Sequence, residues 1–212
     1  MQSVARTATT ANAILGLLAL RPEWPIYALT QQLRRNMRFF WPRAESRIYD
    51  EARRLVSKGH AAARTRPSGT RTRTTYAITP EGRRALAAWL DSEPSPTAIA
   101  CEALLRVFLA DLGEPEQIDA ALARIRRDAE EILEQGRIVA PEYLERRSQF
   151  QDQVHVRALV FDFLSSHALM LLDWADRAEQ TARRWPESTP EEREREALAT
   201  IEEAFARFPT PR

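Results

Sequence analysis

Lys58, Arg64, Arg66, Arg71 and Arg73 fall within sixteen residues that contain no acidic side chain. Cations held this close repel one another, so folding gains nothing from the cluster and a polyanionic partner explains it better. On a hairpin, such arginines can lie along a sugar-phosphate backbone or enter a minor groove. A second set precedes it. Arg43, Ser46, Arg47, Asp50 and Arg54 recur at i, i+3, i+4, i+7 and i+11, the spacing of one helical face. Arginines near the N-terminal end of such a helix can contact guanine O6 and N7 bidentately in a major groove, which suits Arg43 and Arg47. Ser46 can bond several base edges, Asp50 can accept from cytosine or orient an arginine, and Tyr49 at the margin can reach a phosphate. The plainer reading is a solvated face in an arginine-rich chain; the hairpin cluster tips the balance toward DNA. Arg34, Arg35 and Arg38 form a third basic patch, which a helix C-terminus explains as readily.

Other chemistries find little support. His155 and His167 are twelve residues apart, about 120° around a helix, and do not make an i, i+4 ligand pair. Cys101 is the only cysteine, so an intramolecular disulfide and a cysteine-rich zinc site are excluded, and no cationic sequence neighbour activates it. There is no phosphate-binding glycine loop, nucleophile elbow or metal box. Catalytic, metal and cofactor sites are therefore all expected to be absent. Trp24, Trp41, Trp89, Trp174 and Trp185 are candidates for contacting a planar aromatic ligand, although each is more often plain core.

The elements that must position these residues follow from pattern. Ala13–Leu20 reads as a short apolar helix, and a second helix runs from Ile26 to Asn36 with Tyr27, Leu29 and Leu33 facing inward. Pro42 opens a third, whose Ile48, Ala52 and Leu55 form the buried face, and Gly59 closes it. Ala61–Thr65 and Arg73–Ile78 flank a turn at Pro67-Ser-Gly69 and read as a hairpin. Thr79-Pro80 caps a fourth helix. Helix, helix, helix, hairpin, helix is a winged helix-turn-helix. Beyond Ser92-Glu-Pro-Ser-Pro-Thr97, a linker candidate, the chain reads as all helical: Ile99–Leu112, Pro115–Gln135, one or two helices over 142–185, and a capped helix from Thr189 carrying Leu198, Ile201, Phe205 and Phe208. Val160, Leu164, His167, Leu171, Trp174 and Ala178 step by 4, 3, 4, 3, 4, a helix-pairing seam assigned to dimerisation, with His167 fixing its register. The fold class is thus mainly α, with a winged domain over 1–93 and a helical dimerisation domain over 94–212.

Charge follows the same division. The chain has 212 residues and a net charge of +1, but residues 1–94 hold 16 basic and 7 acidic side chains while residues 95–212 hold 15 and 23. The first part is therefore +9 and the second −8, which joins a candidate polyanion-binding segment to one that DNA repels. An apolar share of 44% argues against disorder. Uninterrupted apolar runs such as Ala13–Leu20 are too short to span a bilayer, and Met1–Thr10 is no signal peptide, so a cytoplasmic protein with no membrane association is expected.

Several of these residues carry a resemblance. Ala13-Ile-Leu-Gly-Leu-Leu-Ala-Leu20, Tyr27, Ser46-x-x-Tyr49-x-x-x-x-x-Leu55-x-x-x-Gly59 and Arg73-x-x-Tyr76-x-Ile78-Thr79-x-x-Gly82 resemble the PadR family of transcriptional regulators over about residues 11–90. The acidic helical half, with Trp174, is similar to that family's C-terminal dimerisation domain. The resemblance implies a homodimer of winged helices on double-stranded promoter DNA, usually repressing and often released by a small molecule, with Ser46 and Tyr49 at the DNA. Ile26, Ala52 and His60 depart from the family's common residues, and the helix over Thr189–Phe208 extends beyond its common core. The alternative is a winged-helix protein-interaction module on a helical scaffold, which the basic wing disfavours.

Overall fold

The computed structural model describes residues 2–41, 45–68 and 71–210. The chain divides into two compact units, Met1–Thr97 and Ala98–Arg212.

In the first unit α1 (Gln2–Ala19) is followed by a two-residue strand β1 (Trp24–Pro25), α2 (Ile26–Met37), α3 (Glu45–Ser57), the hairpin β2 (Ala61–Ser68) and β3 (Arg71–Ile78), and α4 (Pro80–Leu90). This is a winged helix-turn-helix. α1 begins well before the expected Ala13, because the alanine- and threonine-containing stretch ahead of it holds no Gly or Pro to stop a helix. Its Ile14, Leu15, Leu17 and Leu18 are buried together with Trp24, Leu29, Leu33, Ile48, Ala52 and Leu55. The buried face expected for α3 is therefore the one observed. Tyr27 is not inward: it is 56% exposed, since two residues separate it from Leu29 by about 200° of helix. The expected start of α3 at Pro42 falls on residues 42–44, outside the described residues.

α3 ends in a Schellman arrangement. His60 N donates to Leu55 O at 2.9 Å, Gly59 N donates to Val56 O at 2.9 Å, and Gly59 has φ 73°. Only glycine takes that conformation without a Cβ penalty. The hairpin is longer than expected. β2 continues through Pro67, which pairs opposite Thr72, so the turn lies beyond the proline rather than at it. Proline is tolerated because β2 is an edge strand in the order β1-β3-β2 and its missing N–H costs no ladder bond. β1 adds the third strand, with Trp24 opposite Tyr76. It is too short to leave a sequence signal.

Thr79 caps α4 as expected: its Oγ1 accepts from Gly82 N at 3.0 Å and donates to Gly59 O at 2.7 Å. One hydroxyl so ties the end of α3 to the start of α4. Gly82 is pressed against the same corner, where an added Cβ would lie 2.0 Å from His60 O. That contact is with backbone and cannot relax by a rotamer change. Gly82→Ala is accordingly expected to destabilise this unit by about 2 kcal/mol or more, read as a lower urea midpoint; an unchanged midpoint would show that the corner yields.

The second unit comprises α5 (Glu102–Phe108), α6 (Pro115–Leu144), α7 (Val154–Ala182) and α8 (Pro190–Ala206), with 3-10 turns at Ala110–Leu112, Gln151–Gln153 and Trp185–Glu187. α5 is shorter than the expected Ile99–Leu112: residues 93–101 are not helical, and Cys101 Sγ caps the helix by accepting from Leu104 N at 3.4 Å. α6 runs past the expected end at Gln135, through Gly136 and Pro141, because packing along α7 overrides local propensity. The chain then reverses at Arg146, φ 55°, where Arg147 N donates to Glu142 O at 2.8 Å. That is a glycine-type cap made without glycine, which is why the break within 142–185 left no mark in the sequence.

Ile118, Ala121, Leu122 and Ile125 of α6 are buried against Ala175 and Ala182 of α7 and Ala103 of α5. Arg126 crosses the same joint, donating to Asp176 Oδ1 at 2.9 Å, to Ala175 O at 3.1 Å and to Glu179. By length and composition the segment 151–187 is apolar enough to cross a membrane, which the short uninterrupted runs had not suggested. One side of it packs along α6.

Candidate nucleic-acid interface

The register of the wing decides how its cations are displayed. Arg64 stands opposite Thr75, Arg66 opposite Arg73, and Ser68 opposite Arg71. Directly opposed residues share a face and alternate residues return to it. Positions 64, 66, 71 and 73 therefore form one row on one face of the ribbon. The other face carries Ala61 and Tyr76, both buried in the core. Arg64, Arg66 and Arg73 are exposed. Two arginines directly opposed, as at 66 and 73, disfavour the hairpin by a few tenths of a kcal/mol, so the pair is held by the strands rather than holding them.

Glu23, which no local motif marks, sits at the base of this row. It accepts from Arg64 Nη1 at 3.0 Å and from Thr75 Oγ1 at 3.1 Å. A carboxylate from the turn before β1 thus fixes the first arginine of the wing and offsets its charge. Glu23→Gln is expected to free Arg64, raise affinity for arbitrary duplex DNA by a few fold and steepen its salt dependence by about one unit of slope. Unchanged binding would mean that Arg64 stays clear of the backbone.

On α3 the expected DNA-facing residues separate. Arg43 lies outside the described residues. Ser46 and Arg47 occupy the first turn of the helix, where their side chains also fall outside them. Tyr49 is half-buried, and exposed Asp50 stands 3.6 Å from Arg53, itself exposed. Arg54 is not a free contact. Its Nε and Nη2 donate to the Glu51 carboxylate at 3.0 and 2.7 Å, and Glu51 is only 7% exposed. The Glu51 hydrogen bonds hold the guanidinium pKa above its ordinary value, against a smaller opposing effect of burial. The i, i+3 spacing of Glu51 and Arg54 was the available signal for this pair. In the third patch, Arg38 stacks on Phe39 at 4.4 Å.

The seam assigned to dimerisation is in part an internal joint. Leu171, Trp174 and Ala178 pack on the clusters around Ile118, Leu122 and Ile125 of the same chain. A 3.5-residue period marks a helix-pairing face but does not say whether the paired helix belongs to the same chain, and here α6 takes it. Leu164 and His167 are half-buried, Val160 is exposed, and His167 stacks on Phe163 with ring centroids 6.2 Å apart. α7 retains a second apolar stripe, Val156, Leu159, Phe163 and Met170, each at least half exposed. The tryptophans do not form one cage: Trp24 is core in the first unit, while Trp174 and Trp185 both pack against the Ile118–Leu122 cluster of the second.

Comparison with known proteins follows the same division. Residues 14–88 match the model of the transcriptional regulator PadR-like family, and residues 101–183 match the virulence activator alpha C-terminal domain. The chain is 32% identical over 110 residues to the negative transcriptional regulator PadR of Bacillus subtilis, a match that takes in 50% of this chain and 60% of that protein. Among solved structures, Bacillus subtilis PadR in complex with operator DNA has a TM-score of 0.65 at 22% identity, covering 81% of this chain and 98% of that one. The Vibrio cholerae virulence activator AphA has a TM-score of 0.61 at 18% identity, covering 82% and 99%. At these identities the structures speak for the fold, and the family match speaks for the residues of the winged unit. Over residues 14–88, with its winged helix and arginine wing, the chain carries a domain of the transcriptional regulator PadR-like family, followed by a helical unit that matches a separate domain model.

Proposed function

We propose that this protein is a cytoplasmic homodimer that binds a pseudo-palindromic promoter site, represses transcription from it and releases it when a small aromatic molecule binds. The observation that carries the DNA reading is the single-faced row of arginine positions on the wing that follows α3. The wing then tracks the phosphates, while Ser46 and Arg47 in the first turn of α3, with Arg43 ahead of them in sequence, read base edges and Tyr49 and Asp50 flank them. Arg54 supports that surface through Glu51 rather than by reading a base. Dimerisation is supported by the apolar stripe on α7, which its own chain leaves uncovered.

The repressor and effector parts rest on the relatives: the Bacillus subtilis protein is called a negative regulator, and its structure is also known with p-coumaric acid. The test is fluorescence anisotropy on the DNA upstream of the protein's own reading frame. With several phosphates neutralised, affinity should fall at least about a hundredfold between 50 and 200 mM salt, and p-coumaric acid or a related phenolic acid should release the complex. Salt-indifferent binding would overturn the DNA reading, and release by none of a panel of phenolic acids would overturn the effector reading.

A further inference from the structure

α8 is an amphipathic helix whose apolar side is exposed. Leu198, Ile201 and Phe205, with Phe208 just beyond its end, step by 3, 4 and 3 along one side and are 58–70% exposed. Among the described residues, no other element packs on it to any substantial extent. Its start is nevertheless firmly built. Thr189 Oγ1 accepts from Glu192 N while the Glu192 carboxylate accepts from Thr189 N, and Arg184 near the end of α7 donates to Glu196. In proteins most of a helix's stability comes from packing of its amphipathic face rather than from propensity, and among the described residues the apolar face of α8 is exposed. An ordered start and an uncovered apolar side together call for a cover, and α8 lies beyond residue 183, where the match to the virulence activator domain ends.

We propose that the cover is a second copy of this chain, with α8 of each protomer closing over the helical unit of its partner. This rests on the homodimer reading above and extends it to a segment outside the family's matched region. Charge excludes the main other occupants: residues 190–208 carry six glutamates against three arginines, so nucleic acid and anionic lipid are repelled. Area favours a copy of the chain over an unrelated protein. The four side chains present roughly 400 Å² of apolar surface, about half of the roughly 800 Å² per partner that a stable interface buries. The α7 stripe of Val156, Leu159, Phe163 and Met170 offers a similar amount. Neither face suffices alone, and one twofold contact covers both in both protomers.

Sedimentation velocity over a dilution series, on the full chain and on Ile201→Asp/Phe205→Asp, tests this. The double variant should dimerise about ten- to a hundredfold more weakly with unchanged helix content in the rest of the unit. Hydrogen exchange supplies a second measurement: amide protection over 190–206 should be high in the dimer and lost in a chain made monomeric by Phe163→Asp. A double variant that dimerises as tightly as the parent, or protection that survives in the monomer, would overturn the α8 assignment and leave the α7 dimer intact. A parent chain that is monomeric at every concentration would overturn the homodimer reading itself.

Discussion

Replacing Arg66 and Arg73 together by alanine is expected to weaken binding to every duplex by a similar factor and to flatten the salt dependence. Each phosphate contact removed takes about 0.9 from the slope of log affinity against log salt, so the pair accounts for close to two units. At about 0.1 M salt the loss should be ten- to a hundredfold. The two side chains are directly opposed on the outer face of the wing, they are exposed, and neither belongs to the buried cluster around Tyr76. Their removal relieves a like-charge pair, so the unit should become slightly more stable while it binds less well. Opposite signs for stability and affinity separate a phosphate-contacting role from a structural one. Replacing Arg47 by alanine should instead change the preference among sequences by about 1–3 kcal/mol at particular bases, with little effect on random duplex. A double wing variant with an unaltered slope would remove the wing from the interface.

Phe163→Asp is expected to give a folded monomer. Phe163 is 62% exposed, stacks on His167 and, among the described residues, belongs to none of the buried clusters that join α6 to α7, so a charge there leaves the protomer core unharmed. In the dimer it would place a carboxylate, and its twofold mate, in an apolar contact. Dimerisation should be lost at micromolar concentration. DNA affinity should fall further than for any single wing arginine, because two linked winged units gain on the order of 10²- to 10⁴-fold over one. Light scattering for mass and anisotropy on one half-site against two make the check. A monomer that binds the full site as tightly as the parent, or a variant that remains dimeric, would show that the α7 stripe is covered by something else. Trp174→Ala provides the contrast: the half-buried ring packs against Ile118 and Leu122 of its own chain, so its loss should cost up to about 3 kcal/mol of stability and lower the unfolding midpoint.

Both predictions depend on a distinction that spacing alone leaves open. Trp174 and Phe163 lie on the same helix, eleven residues apart, and each belongs to an apolar stripe of helical period. The spacing of the six-residue seam through Trp174 suits a dimer face, yet Leu171, Trp174 and Ala178 of it pack on α6. The stripe through Phe163 is interrupted by Ser166, yet it is the one left exposed. A pairing face carries the same hydrophobic period whether its partner is in the same chain or another. Arg54 makes the same point on the other unit: its place on the solvent side of α3 was legible, but its bond to buried Glu51 was not, since burial of Glu51 depends on what packs beside the helix.

What the sequence determined was whatever a few neighbouring residues decide among themselves. Gly59 ends α3, Thr79 and Pro80 start α4, and Thr189 with Glu192 starts α8, because caps satisfy backbone groups within one turn. The concentration of cations between Lys58 and Arg73, and the sign change between the two halves, were likewise fixed by composition. Tertiary structure decided what needs a partner distant in sequence. Glu23 meets Arg64 and Thr75 across 41 and 52 residues, β1 joins the sheet, and the hairpin register gathers four arginine positions on one face. A one-residue slip of that register would break the row, and the anchor that prevents it is Tyr76 and Ala61 buried on the opposite side. The positive charge of the first half is a property of the chain; its direction is a property of the fold.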